Sequence, residues 1–361
     1  MILDDIEVQK KVDASQTYES IVSYSEQCQH AFDDTASIEI PDSYRSFNKI
    51  LMTGMGGSGL GARIIESLYG FQIRCPIIHM HDYDLPAWVD QNTLCIFSAF
   101  SGTTEEPLEC ARQAIKRGLK WMSIGSGDTL INLAIEQKVP YYKINPTFNP
   151  SKQPRLALGY SIIGQIRLVA KTGIINFDES ELQAIKEAMQ TVILSSKREI
   201  PFENNPVKKI AQSLQERQIV FVASRHLVGV THAVKNQMNE NAKSMASMHE
   251  IPELNHHLME GLAFPKSNTE TLLYIFVNSS LYPERIQKRY AITKDIIEKN
   301  HIPTMTITPQ SNNMLTQAFE LLQLGGFINY YLAMLHGVDP APIPYVDEFK
   351  NRLGQSLGIW K

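Results

Sequence analysis

The chain has 361 residues, of which 43% are hydrophobic and 20% are charged, with a formal net charge of −4. This length suffices for one large or two ordinary domains. The charge balance gives no indication of nucleic-acid or membrane binding, and no apolar run approaches the ~20 residues of a membrane span. Residues 1–11 lack the pattern of a signal peptide, so we expect a cytoplasmic protein.

The first half of the chain predicts an α/β domain behind a helical segment. Residues 1–48 are polar and helical in pattern. The chain then alternates between strands predicted at 49–54, 77–81, 94–98, 121–125 and 140–144 and helices predicted at 58–69, 104–117 and 128–137. This alternation is typical of a parallel sheet that helices cover on both faces.

The second half repeats that alternation after two predicted helices at 155–172 and 179–197. Strands are predicted at 218–223, 272–277 and 304–308, and helices at 227–246, 283–299 and 312–336. The expected domain limits are 1–48 for the helical segment, 49–153 for the first α/β domain, 154–205 for a helical connector and 206–361 for the second domain with its C-terminal helices. Two such domains usually bind a ligand in the cleft between them.

Two loops of small residues each follow an apolar strand and precede a predicted helix. They are residues 54–59 (GMGGSG) and 101–104 (SGTT). Free backbone N–H groups and the helix dipole attract an anion at such a turn. The hydroxyls of Ser58, Ser101, Thr103 and Thr104 add further donors. Together the two loops predict a site for a phosphate monoester.

Each loop also has a plainer interpretation. Residues 54–59 fit the Gly-x-Gly-x-x-Gly pattern of dinucleotide-binding proteins, although no acidic residue closes the next predicted strand, and His81 and Asp82 come slightly late. Residues 101–104 with Glu106 also fit a helix capping box. A dinucleotide site does not need the second, hydroxyl-rich loop, so the pair of loops favours a phosphate.

Three polar segments lie further along the chain. Residues 239–243 (NENAK) fall inside a predicted long helix, residues 252–257 (PELNHH) fall in a loop, and Lys350 lies near the C-terminus. A carboxylate with amide neighbours and a loop histidine suit acid/base chemistry. A surface ion pair between Glu240 and Lys243, solvated histidines and a solvated lysine are the alternatives.

Taken together, these motifs resemble the bifunctional phosphoglucose/phosphomannose isomerases, a family built from two sugar isomerase (SIS) domains. The resemblance rests on residues 54–58, 101–106, 154–159 (PRLALG), 239–243 and 252–256, which occur in family order. It spans about residues 50–350. It implies an α/β fold of two flavodoxin-like αβα sandwich domains with parallel sheets and connecting helices.

The resemblance also implies an activity and a set of site residues. The activity is interconversion of glucose 6-phosphate, and often mannose 6-phosphate, with fructose 6-phosphate through an enediol, with no metal or cofactor. Glu240 would be the isomerisation base, His256 would open the sugar ring, Arg155 would stabilise the enediolate and Lys350 would assist at the ring oxygen. The implied phosphate-binding residues are Gly56, Gly57, Ser58, Ser101, Gly102, Thr103 and Thr104.

The family resemblance further implies a homodimer in which the histidine comes from the partner subunit. Three departures from the family pattern leave alternatives. Ala99 replaces a serine of many relatives, His257 follows His256 as a second candidate, and no threonine occurs at 339–350, where the family links one to mannose 6-phosphate. A non-catalytic sugar-phosphate sensor and an isomerase of another sugar phosphate remain open as alternatives.

Overall fold

The strands of the protein form two parallel sheets, seen here in a computed structural model that describes residues 2–358. The outermost residues of the predicted terminal segments, residue 1 and residues 359–361, lie outside the described range. The first sheet has the order β2-β1-β3-β4-β5 and the second has the order β7-β6-β8-β9. Their bounds are β1 Lys49–Gly54, β2 Ile77–Met80, β3 Thr93–Ser98, β4 Lys120–Gly125, β5 Tyr141–Lys143, β6 Gln218–Ala223, β7 Ala246–Glu250, β8 Leu272–Val277 and β9 Thr304–Ile307.

Helices connect the strands of each sheet and surround both sheets. Their bounds are α1 Ile6–Val12, α2 Thr17–Val22, α3 Tyr24–Asp34, α4 Leu60–Tyr69, α5 Glu105–Lys116, α6 Asp128–Gln137, α7 Leu158–Ala170, α8 Glu179–Ser196, α9 Pro206–Ser213, α10 Val228–Glu240, α11 Leu254–His257, α12 Asn268–Thr271, α13 Glu284–Lys299, α14 Met314–His336 and α15 Pro344–Ser356. Short 3₁₀ turns lie at Ile2–Asp4, Asp42–Arg45, Gly56–Gly59, Pro154–Leu156, Phe202–Asn204, Arg225–Leu227 and Met259–Ala263.

The apolar runs of the sequence become central strands that are covered on both faces. β3 is buried along its whole length, and β1 is buried from its second residue onward. In α14 the apolar residues surround the helix on all sides, and it packs against α8, α9 and α10 in the interior. None of the helices within residues 2–358 combines the length and apolarity needed to cross a membrane.

The predicted helix at 227–246 is wrong at its C-terminal end. α10 ends at Glu240, and β7 begins at Ala246 as an edge strand beside β6. The side chain of Asn239 accounts for the turn, because its amide donates to the Ala246 carbonyl and accepts from the Ala246 N–H, both at 3.0 Å. Glu240 therefore lies at the end of a helix, and not inside one as the sequence predicts.

Candidate active site

The first small-residue loop leaves the carboxyl end of β1 and leads into α4. Gly56 has a φ of +50°, in the left-handed region that favours glycine. Within residues 2–358, the backbone N–H groups of Gly56 and Gly57 have no hydrogen-bond acceptor. Two adjacent free N–H groups at the start of a helix are suited to binding an anion.

The second loop groups three hydroxyls at the carboxyl end of β3. The Ser101 hydroxyl oxygen accepts from the N–H of Thr103 at 3.3 Å and from its hydroxyl at 3.1 Å, and it lies 3.5 Å from the Thr104 hydroxyl. Gly102 has a φ of +77°, and a β carbon there would overlap the Gly127 carbonyl. Thr104 precedes α5 without a side-chain capping bond, so the capping-box alternative does not describe this turn.

A buried serine joins the two loops. The hydroxyl oxygen of Ser58, in the first loop, accepts the backbone N–H of Phe100, next to the second loop, at 2.8 Å. Parallel neighbouring strands place both loops at one edge of the sheet, and this bond fixes their relative position. The Ser58 hydroxyl has no acceptor among residues 2–358, so its proton remains available to a ligand.

The first loop also contacts the segment that carries Arg155. A β carbon at Gly57 would lie 2.8 Å from the backbone nitrogen of Arg155, so only glycine permits this approach. The loop that offers free N–H groups and the arginine therefore lie in one place, although they are far apart in the sequence.

Arg155 is almost fully buried, and acceptors among residues 2–358 take four of its five N–H donors. Its Nε donates to Asn241 at 2.5 Å and one terminal nitrogen donates to the Pro340 and Ala341 carbonyls at 3.0 and 2.6 Å. The other terminal nitrogen donates to Gln153 at 2.9 Å. A guanidinium has five donors, so one N–H remains, on the nitrogen that faces Glu240.

Glu240 forms a loose ion pair with this guanidinium. Its carboxylate oxygen lies 3.6 Å from the Arg155 terminal nitrogen that keeps a free N–H. Burial raises the pKa of Glu240, and the cations of Arg155, Lys243 and Lys350 act against that rise. A carboxylate with a raised pKa is a stronger base than one in water, which suits proton abstraction from carbon.

Lys350 and Lys243 take different positions around Glu240. Lys350 lies on the exposed helix α15, close enough for its charge to lower the pKa of Glu240. The ammonium of Lys243 donates to the backbone carbonyls of Glu240, Pro340 and Pro342, and burial lowers its pKa to about 8. Within residues 2–358, Lys243 therefore binds backbone carbonyls and does not form the alternative surface ion pair with the Glu240 carboxylate.

His256 does not join this group within the chain. It lies on α11 with an exposed side chain that makes no hydrogen bond or ion pair to any residue from 2 to 358. His257 is also exposed, and its ring lies 6.0 Å from that of His249. The structure thus brings the two loops, Arg155 and Glu240 together and leaves both candidate histidines apart from them.

Several supporting groups have no clear signal in the sequence. Gln153 and the carbonyls of residues 340–341 hold Arg155 from segments that carry no recognisable motif. Asn241 does fall in the NENAK segment, where its place beside Glu240 is a signal, but its bond to Arg155 depends on the fold. Lys243 falls in the same segment, and its hydrogen bonds to the carbonyls of residues 340 and 342 depend on the fold, which places that distant segment beside it.

The fold and the site define the class of the protein, an α/β protein of two SIS domains. A structure from Thermus thermophilus, described as a hypothetical protein, aligns with a TM-score of 0.74 and 14% identity over 97% of this chain and 94% of its own. At this identity the match supports the fold alone. A family model described as the bacterial phospho-glucose isomerase C-terminal SIS domain matches residues 203–353.

Two relatives identify the family. The bifunctional phosphoglucose/phosphomannose isomerase of Caldicellulosiruptor bescii is 31% identical over 339 residues, 94% of this chain and 99% of the relative. The enzyme of the same name from Aquifex aeolicus is 28% identical over 87% of this chain and 93% of its own. The chain belongs to the bifunctional phosphoglucose/phosphomannose isomerase family, which confirms the predicted resemblance, fold class and enzyme class.

Proposed function

We propose that this protein interconverts glucose 6-phosphate and mannose 6-phosphate with fructose 6-phosphate through a shared enediol intermediate. The observation that carries the proposal is that the Glu240 carboxylate, whose pKa burial raises, lies beside the remaining N–H of the buried Arg155. Arg155 in turn lies next to a loop with two backbone N–H groups that have no acceptor within residues 2–358. These are the three parts that an aldose–ketose isomerase needs: a base, a fixed positive charge and an anchor for the phosphate.

The phosphate binds between the two loops. The N–H groups of Gly56 and Gly57, the hydroxyls of Ser58, Ser101, Thr103 and Thr104, and the first N–H groups of α5 act as donors. Holding the phosphate at this end fixes the distance of the sugar's C1 and C2 from Glu240, so that binding energy is used for orientation.

The Glu240 carboxylate moves a proton between C2 and C1. It removes the C2 proton of the open-chain aldose to give an enediolate, a proton passes from the C2 oxygen to the C1 oxygen, and delivery of the abstracted proton to C1 gives the ketose. Glucose 6-phosphate and mannose 6-phosphate differ only in configuration at C2, so both aldoses give the same enediol. The remaining N–H of Arg155 stabilises the negative charge that develops on the oxygens.

Ring opening belongs to a histidine, and we assign it to His256 supplied by a second copy of the chain. Its exposed, unpaired side chain within residues 2–358 fits a residue that acts in another subunit. We therefore propose a homodimer with composite active sites. Lys350 of the exposed helix α15 assists at the ring oxygen. Because sugar phosphates are charged and do not cross membranes, we propose that the enzyme works in the cytoplasm.

The test is incubation of the protein with fructose 6-phosphate in deuterated water with a chelator, followed by NMR of the products. We expect both aldose phosphates to form, with deuterium at C2, and the chelator to have no effect. A protein that binds the sugar phosphate without product formation or exchange would be a sensor instead. Parallel incubations with pentose and amino-sugar phosphates distinguish an isomerase of another substrate.

A further inference from the structure

His81 lies beside the first phosphate loop but has none of the roles assigned above. It follows β2 directly, and since Thr53 pairs with Met80 in the sheet, His81 lies level with Gly54. Its Nδ1 is 2.8 Å from the Gly54 carbonyl oxygen. A carbonyl can only accept, so Nδ1 carries a proton. The imidazole thus extends the pairing between β1 and β2 beyond the last backbone pair.

The Gly54 carbonyl lies between Gly59, at the other end of the loop, and the His81 ring. A β carbon at Gly59 would overlap the Gly54 carbonyl oxygen and would lie 3.1 Å from Cε1 of His81. Gly56 and Gly57 lie between these two glycines. A fixed Gly54 carbonyl therefore anchors the start of the segment that carries the free N–H groups of Gly56 and Gly57.

The side of the imidazole that faces the loop favours its neutral form, although the residue as a whole is exposed to solvent. Partial burial lowers the pKa of His81, and the charges of Arg63 and His79 lower it further. The hydrogen bond to the Gly54 carbonyl acts in the opposite direction and raises this pKa. His79 itself is paired with Glu66 at 2.5 Å, and His232 faces the same cluster with its pKa lowered to about 3. At neutral pH the ring is therefore an uncharged Nδ1–H donor, and its Nε2 has no partner among residues 2–358.

We propose that His81 is a positioning residue of the phosphate site, which holds loop 54–59 in its phosphate-binding conformation through the Nδ1–H bond to the Gly54 carbonyl. This inference rests on the phosphate-binding role proposed for that loop. His81 acts through the loop, so its loss weakens phosphate binding and leaves the proton transfer at Glu240 intact.

Two substitutions of similar size separate the Nδ1–H bond from the bulk of the ring. The amide of His81→Asn lies near the position of Nδ1, and the amide of His81→Gln lies near that of Nε2. We expect His81→Gln to raise KM for fructose 6-phosphate and Ki for inorganic phosphate about tenfold, with kcat within about twofold of wild type. We expect His81→Asn to restore both constants to within about twofold of wild type. Wild-type constants in His81→Gln, or equal losses in both variants, would overturn the proposal.

A measurement on the unaltered protein applies even where a variant fails to fold. In protein labelled with ¹⁵N-histidine, we expect the His81 ring to be the Nδ1–H tautomer at pH 7.5 and its signal to shift when inorganic phosphate is added. An Nε2–H tautomer, or no shift on phosphate addition, overturns the proposal. Because phosphate binding is measured without turnover, a protein that binds phosphate with these signals but does not isomerise contradicts the proposed function alone.

Discussion

At the scale of single residues, the candidate site depends on how the buried Arg155 and the half-buried Glu240 lie side by side. Burial raises the pKa of Glu240 and lowers that of Arg155, and each charge works against the shift of the other. Four protein acceptors satisfy the arginine, so it needs no tight ion pair with the carboxylate. The raised pKa of Glu240 is consistent with the role proposed for it as a base that takes a proton from carbon.

Replacement of Glu240 by glutamine tests the role of the base. Glu240→Gln keeps the shape of the side chain but cannot accept the C2 proton, so we expect kcat to fall by about 10²–10⁴-fold. Binding of fructose 6-phosphate, measured by calorimetry, stays within about threefold of wild type because the phosphate anchor is unchanged. Near-normal turnover in this variant would contradict the assignment.

The pH dependence of turnover tests the environment of Glu240. The carboxyl must be ionised to act as a base, so kcat falls as pH falls through its pKa, and burial places this acid limb above the usual range of a glutamate. Lys350 lowers that pKa, so we expect Lys350→Met to shift the acid limb to higher pH. The measurement is the kcat–pH profile between pH 4 and 9.

Lys299→Met provides the control for this profile, since Lys299 pairs with Asp295 on the exposed surface of α13. We expect its acid limb to coincide with that of wild type. An acid limb that moves to lower pH in Lys350→Met would show that Lys350 does not stabilise the Glu240 carboxylate.

At the scale of elements, the N-terminal helices support the segment that carries Arg155. The side-chain amide of the fully buried Gln27 in α3 donates to the carbonyls of Phe148 and Leu156, both at 2.9 Å. Its side-chain carbonyl oxygen accepts from the backbone N–H of Gly159 at 3.1 Å. On the other side, Gln237 of α10 donates to the Arg155 carbonyl at 2.9 Å. Both halves of the chain therefore hold the 3₁₀ turn Pro154–Leu156 in place.

Loss of this support is expected to lower both stability and turnover. Gln27→Leu leaves several buried backbone groups without partners, so we expect a loss of about 3 kcal/mol in the free energy of unfolding, measured by urea denaturation. We expect kcat to fall as well, because Arg155 loses its fixed position. Glu26→Leu, on the exposed face of the same helix, is the control and changes stability by about 0.5 kcal/mol or less.

Element prediction succeeded where a periodic pattern coincided with clear boundaries. The strand at 218–223 and the helix at 128–137 have the predicted limits, because turn residues flank an unambiguous apolar pattern. β7 was missed because Ala246–Glu250 is a short edge strand with only one fully buried residue, and its polar residues continue the helical pattern before it. Only the pairing with β6 and the side chain of Asn239 decide its conformation.

At the scale of the whole molecule, one chain brings together the two loops, Arg155 and Glu240 of the candidate site but not His256. α4 and α10 pack together and join the two halves, which brings Arg155 and Glu240 into contact. His256 lies elsewhere with a free side chain among the described residues, so the composite site that we propose takes it from a second copy. Symmetric dimers allow each chain to supply a residue to the other's site.

Mixing two inactive variants tests whether active sites are composite. Glu240→Gln and His256→Ala chains, unfolded together and refolded in equal amounts, form mixed dimers in which one site has both native residues. Random pairing makes half of the dimers mixed, so we expect about a quarter of wild-type activity to return. The mass of the particle, about twice 40.8 kDa by light scattering, accompanies this measurement.

The control for this mixture is Glu240→Gln with Arg155→Lys, whose altered residues lie in the same site of one chain. No site in that mixture has both native residues, and activity stays at the level of the separate variants. If the Glu240→Gln and His256→Ala mixture also stays inactive, the histidine acts within its own chain.

The sequence by itself determined the parallel α/β class, the small-residue loops and the family, because apolar periodicity and turn chemistry are local and five motifs occur in a fixed order. Tertiary structure alone decided which groups meet. Arg155 touches Gly57, Asn241 and residues 340–341 across long stretches of chain, and burial at that junction shifts the pKa of Glu240. Such contacts and desolvation arise only when distant segments pack together, and no local pattern encodes them.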